Sequence, residues 1–170
     1  MSSALSIEAM QLTDIEAVLT IEHLCFPTPW SHFAFYTELT ENHYALYVVG
    51  KIDGQVVAYA GTWVILDEAN ITNVAVHPDW QGRGFGRDIL LGLLARAKAR
   101  GAVRATLEVR KHNLHAQQLY LKYGFNFRGL RRGYYTDTGE DALVMWKDSL
   151  DDVISLEESP NPLPQAEGCS

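Results

Sequence analysis

The sequence predicts a mixed α/β domain: a central sheet, partly antiparallel and partly parallel, flanked by helices. Three observations predict it. First, Asp53-Gly54 sits between two β-rich runs, ALYVVG and QVVAYAGTWVIL, a strong signal for a hairpin turn. Second, the apolar run NITNVAVHP leads into a helical stretch, ILLGLLARAKA, and then into RATLEVR, a single strand–helix–strand unit of the kind that makes a parallel crossover. Third, FNFRGL and DALVMW close the chain as two further strands that should pair with each other. A hairpin before one crossover unit excludes a fully parallel, doubly wound sheet.

The elements follow in the order β α α β β β α β α β β. Residues 4–10 form a first strand. Thr13 and Glu16 in TDIE have capping-box spacing, and Ile15, Val18, Leu19 and Leu24 supply the apolar stripe of a first helix. FPTPWS breaks that helix with two prolines, and Ser31 is placed to cap a second, aromatic helix over HFAFYTEL. Pro78 stops the strand NITNVAVHP. From Arg87 to Arg100, Ile89, Leu90, Leu93, Leu94 and Ala97 share one helical face. RATLEVR alternates, with Ala105, Leu107 and Val109 on one side and Thr106, Glu108 and Arg110 on the other. Asn113 caps the next helix, whose Ala116, Leu119, Tyr120 and Tyr123 share a face, and Gly124 suits the position just past its end.

A chain of 170 residues is sized for one domain with a sizeable core, here residues 1–150. Residues 151–170 lack any period and include Pro160, Pro162 and Pro164, which marks an acidic, disordered tail. Net charge is −7, but the last twenty residues hold five acids and no Lys or Arg, leaving −2 on the rest. That balance argues against nucleic-acid binding. No run approaches the ~20 apolar residues of a membrane span, and MSSALSIEAMQL lacks a basic leader, so a cytoplasmic protein with no membrane partner is expected. Cys25 and Cys169 lie too far apart for a metal pair, and His112 and His115 have no nearby ligand set, so no metal is expected.

The chemistry concentrates in HPDWQGRGFGRD, residues 77–88, at a strand–loop–helix junction. Such a junction presents backbone N–H groups and the positive end of a helix to an anion, and glycines let oxygen atoms approach the backbone closely. Gly82 to Arg87 therefore read as a phosphate-binding turn. A Walker A loop needs Gly-Lys-Ser/Thr, which is absent. A dinucleotide loop competes, since Gly82 and Gly84 fit Gly-x-Gly and Glu108 lies about twenty residues on. Yet Arg87 stands at the third glycine position, and only one crossover unit follows.

QGRGFG, residues 81–86, resembles the Gln/Arg-x-x-Gly-x-Gly/Ala motif of the GNAT N-acetyltransferase superfamily, and the resemblance extends over about residues 5–147. LEVRKHNLHAQQLYLKYGF, RRGYY and EDALVMW are similar to its RimI-type branch, the alanine N-acetyltransferases of ribosomal proteins, and FPTPWS is similar to that branch's substrate-side segment. Gly133 departs from the Asn often found before the paired tyrosines. The resemblance implies the acyl-CoA N-acyltransferase fold, acetyl-CoA as co-substrate, and a protein N-terminus starting with alanine, on a small-subunit ribosomal protein, as acceptor. It implies that Gly82, Arg83, Gly84, Phe85, Gly86 and Arg87 cradle the pyrophosphate, and that Val74, Ala75 and Val76 pair through their backbone with the pantetheine amides. Asn113 is implied to contact the same ligand besides capping its helix.

Acetyl transfer to an amine needs a base for the amine's proton and an acid for the departing thiolate, in a geometry that holds the reactants together. Glu108, an acid inside a strand of β-formers, is the candidate base, acting directly or through a water. It could instead be a surface carboxylate paired with Arg110. Tyr120, two turns beyond Asn113, would by itself read more often as core on an apolar helix stripe. Its resemblance to the RimI-type proton donor implies that it is the acid, as the resemblance also implies the base role of Glu108. Two other functions stay open: acetylation of a small amine, and a non-catalytic CoA-binding module on the same fold.

Overall fold

The computed structural model describes residues 4–154. The elements are β1 (Ser6–Ala9), α1 (Ile15–Cys25), α2 (His32–Thr40), β2 (Ala45–Ile52), β3 (Gln55–Ile65), β4 (Glu68–Val76), α3 (Phe85–Ala99), β5 (Arg104–Arg110), α4 (Leu114–Lys122), β6 (Asn126–Tyr135) and β7 (Glu140–Lys147). The order is the expected one. The seven strands of the described residues join one mixed sheet, arranged β1-β2-β3-β4-β5-β7-β6. Among the described residues only β4 and β5 pair in parallel, across the α3 crossover.

Helices cover both faces of the sheet, and the period of two decides which residues meet which helix. Tyr47, Val49 and Tyr59 pack with Ile15, Val18 and Ile21 of α1 and Phe35 of α2. Their neighbours Val48, Ala58 and Ala60 face the other way, onto Ile89 and Leu93 of α3. Leu90 and Leu94 join Leu107, Val109, Tyr120 and Phe125 in a further cluster that seats α4. Most of the stability comes from this burial, at roughly 25 cal/mol per Å² of apolar surface.

Several local expectations hold. Ser31 Oγ accepts from Ala34 N at 3.1 Å, and Asn113 Oδ1 from Ala116 N at 3.2 Å, so each caps its helix. Asp53 and Gly54 both have positive φ in the β2–β3 turn, and Gly124 follows α4 with φ +98°. Other boundaries differ. Thr13 lies inside a short 3-10 turn (Leu12–Asp14), and it is Asp14 that closes the box, its carboxylate accepting from Gln11 N at 2.8 Å. β4 begins at Glu68 because Leu66 takes a left-handed φ of +56°, which makes a second tight hairpin that carries no glycine signal. α3 starts at Phe85 rather than Arg87, because Gly84 (φ +81°) is its N-cap.

Within the expected tail, residues 151–154 are described and stay against the domain. Val153 is buried, its carbonyl accepts from Lys98 Nζ at 2.9 Å, and Asp152 pairs with the buried Lys147. The rest of the tail, residues 155–170, lies outside the described residues.

Candidate active site

β4 and β5 pair only from Glu68/Arg104 to Asn70/Thr106. Beyond that point they part. A bulge reinforces the divergence: Gly61 pairs with Asn73 and Thr62 with Ile71, so Thr72 is an extra residue on β4. The gap is a cleft of about 310 Å³ through the middle of the sheet. Ile71 to Val74 form one wall, Leu107 to Arg110 another, and the segment between α1 and α2 a third.

The splay has a chemical consequence. Glu108 and Leu107 point to opposite faces of β5, and Tyr120 sits with Leu107. In a closed sheet Glu108 and Tyr120 would be separated by backbone. Here both line the same cleft, together with Asn113 and Val74.

Glu108 keeps 26% of its side chain exposed, and its nearest cation is Arg131, Nη2 to Oε1, at 3.9 Å. Arg110 is committed elsewhere: it pairs with Asp137 at 3.0 Å and Glu140 at 3.3 Å, and stacks on the Tyr135 ring at 4.0 Å. The surface pair of Glu108 with Arg110 therefore does not form. Tyr120 is 8% exposed, and its ring meets Phe125 edge-on, with centroids 5.7 Å apart. Burial, and then the neighbouring Tyr135, push its phenol well above the usual tyrosine range, so the hydroxyl keeps its proton.

The glycine loop lies past the end of β4 and does not itself line the cleft. Gly82 and Gly84 both have left-handed φ, and nothing stands within 4 Å of where a Cβ on Gly82 would lie. Within α3 the first internal bond runs from Asp88 N to Gly84 O, at 3.1 Å. The N–H groups of Phe85, Gly86 and Arg87 thus have no acceptor in their own helix. Arg87 binds Asp88 (Nε to Oδ1, 2.9 Å), which neutralises a carboxylate that would otherwise repel an anion at this end. The Arg83 guanidinium lies 4.7 Å from the Trp80 ring centre.

Of the three β4 positions expected to meet a ligand, Val74 lines the cleft, while Ala75 and Val76 continue the strand towards the loop. The Val76 carbonyl accepts from Gln81 Nε2 at 3.0 Å and Cys25 Sγ at 3.4 Å. Asn73, also on the cleft, carries a buried side-chain oxygen with no protein partner.

Among the cleft residues that the sequence did not single out individually are Glu22, Asn73 and Tyr135. Tyr135 lies in RRGYY and Asn73 in the strand NITNVAVHP, but the sequence assigned a role to neither. Glu22 and Asn73 look like an ordinary helix carboxylate and strand amide until burial and partners are known.

The sequence pattern of the Acetyltransferase (GNAT) family matches residues 15–125. The chain belongs to that family. An Escherichia coli (strain K12) ribosomal protein bS18-alanine N-acetyltransferase is 38% identical over 142 residues, 82% of this chain and 95% of that protein. A Bacillus subtilis (strain 168) protein that carries the same name provisionally is 42% identical over 146 residues, 86% of this chain and 97% of its own. The crystal structure of the Escherichia coli ribosomal-protein-S18-alanine N-acetyltransferase superposes with a TM-score of 0.77 at 37% identity, covering 84% of this chain and 92% of that one. This GNAT protein is thus an acyltransferase, and its mixed sheet is the family's fold. The family uses acetyl-CoA. Among the described residues no group of three or more His, Cys, Asp or Glu is placed to hold a metal, and no helix is long and apolar enough to cross a membrane.

Proposed function

We propose that this chain is an acetyl-CoA-dependent Nα-acetyltransferase that acetylates the N-terminal alanine of a small-subunit ribosomal protein. One observation carries the mechanism: the splay of β4 from β5 brings Glu108 and Tyr120 to a single cleft. The names of the relatives support the acceptor. The catalytic domain is residues 1–150, with 151–170 as its tail.

The residues fit a diphosphate-bearing thioester. Gly82 leaves room for phosphate oxygens, Gly84 caps the helix in a left-handed conformation, and the first-turn N–H groups of Phe85, Gly86 and Arg87 are donors without helix partners. Val74 to Val76 would align the ligand's amides along β4, and Asn113 would contact it from the start of α4. Acetyl-CoA supplies an activated acyl carbonyl and a thiolate leaving group.

The peptide's α-amino group, with a reference pKa near ~8, arrives largely protonated at neutral pH. Glu108 accepts its proton, directly or through a water, from a position open enough to exchange it. Tyr120 gives a proton to the sulfur as it departs, and the burial that holds its phenol protonated keeps this donor ready. No covalent intermediate is needed, since holding amine and thioester together supplies much of the acceleration.

The test is mass analysis after incubating the full chain with acetyl-CoA and a short peptide that begins with alanine. One acetyl group on the α-nitrogen is expected, in preference to lysine side chains and to free polyamines. Acetylation of lysine alone, or of the small amines alone, would overturn the proposal.

A further inference from the structure

The third wall of the cleft is the segment between α1 and α2, where Phe26, Pro27, Thr28 and Trp30 line the space. It belongs to no helix or strand, so its position has to be set from outside. Glu22, in α1, does so. Glu22 Oε2 accepts from the Trp30 backbone N–H at 2.8 Å, and Oε1 accepts from the Tyr59 hydroxyl.

Glu22 is 2% exposed, and among the described residues no cation pairs with it. A buried carboxylate is costly unless its oxygens are satisfied, and an apolar side chain would fill the same volume without that cost. The charge therefore needs a use. Tyr59 belongs to β3, near the middle of the sheet, and is fully buried. Its ring lies edge-on to Phe35 at 5.8 Å, and Phe35 in turn packs on Trp30 at 5.1 Å. Burial, and then the charge of Glu22, push the Tyr59 phenol up, so its hydroxyl stays a donor. A continuous line of contacts thus runs from the central sheet through Tyr59 and Glu22 to the main chain of the cleft wall.

We propose that Glu22 is a positioning residue for the acceptor peptide: its carboxylate ties the 26–30 segment to the central sheet and thereby sets the affinity for the peptide's first residues, without entering the chemistry. This rests on the reading that an α-amino peptide occupies the cleft. A purely structural role predicts a uniform loss in every parameter. The positioning role predicts a split.

Glu22→Leu removes both acceptors at similar volume, and Tyr59→Phe removes one donor with little change of shape. With the full chain, both variants should raise KM for an alanine-starting peptide, the first by at least about tenfold, since hydrogen bonds to a charged group are lost. The kcat and the acetyl-CoA dissociation constant should stay within about twofold. Amide exchange at Trp30 should accelerate in Glu22→Leu. Should that variant fail to fold, Tyr59→Phe still decides. An unchanged peptide KM, an equal loss of acetyl-CoA affinity, or unchanged exchange at Trp30 would overturn the inference. Failure of the wild-type chain to acetylate the peptide would sink the functional reading instead.

Discussion

Two carboxylates line the cleft, on different walls and in different circumstances. Glu108, on β5, keeps about a quarter of its side chain open and has one distant arginine. Glu22, on α1, is sealed in, with one donor fixed on each oxygen. A group that trades protons needs a route to substrate and water. A group that holds a wall needs partners that do not change. The two side chains are chemically identical, so exposure and partners assign the roles.

The contrast breaks most directly at Glu108. Glu108→Gln should lower kcat by about 10²–10⁴-fold while acetyl-CoA affinity stays within about twofold, read by steady-state kinetics and titration of the coenzyme. Normal turnover would leave the cleft without its base.

Tyr120→Phe comes next, with an expected loss of about 10²-fold in kcat. Because its pKa is raised, the donor form persists above the ordinary tyrosine value of about 10. The wild-type pH–rate profile should therefore show no falling limb from Tyr120 below that pH. A limb near neutrality that disappears in the variant would contradict the assignment.

Gly84→Ala should act on the coenzyme side alone. A Cβ at φ +81° costs about 1–2 kcal/mol and shifts the start of α3. Weaker acetyl-CoA binding with an unchanged peptide KM is the expected pattern, and a drop in both would blur the separation of the two sides.

Asp137→Asn should have the smallest effect, a rise of a few-fold in peptide KM as Arg110 and Tyr135 lose an anchor. The Arg110 guanidinium holds the Asp137 carboxyl below the usual range. Its contribution to stability is therefore full above about pH 4 and is lost as pH falls through the depressed folded value. Thermal melts against pH should show that acid loss in the wild type and less of it in the variant.

How much was legible depended on range. Ser31, Asn113, Asp53-Gly54 and Gly124 were readable because a cap or turn involves a few neighbouring residues. Thr13 misled because two acids, Asp14 and Glu16, were in reach and sequence spacing did not choose between the boxes. The choice of Arg110's partners was not readable either, since Asp137 and Glu140 are about thirty residues away in sequence.

From the order of residues alone came the mixed sheet, the glycine turn before α3, and Glu108 and Tyr120 as the pair to examine. The sheet and the turn follow from periodicity and backbone freedom, and the pair from the resemblance of those positions to the RimI-type branch. Only the tertiary structure decided that parallel pairing stops at Asn70, that β7 enters between β5 and β6, and that Glu22 is buried with Trp30 and Tyr59. Those features depend on where distant strands diverge and which groups are left out of water, and no local pattern encodes either.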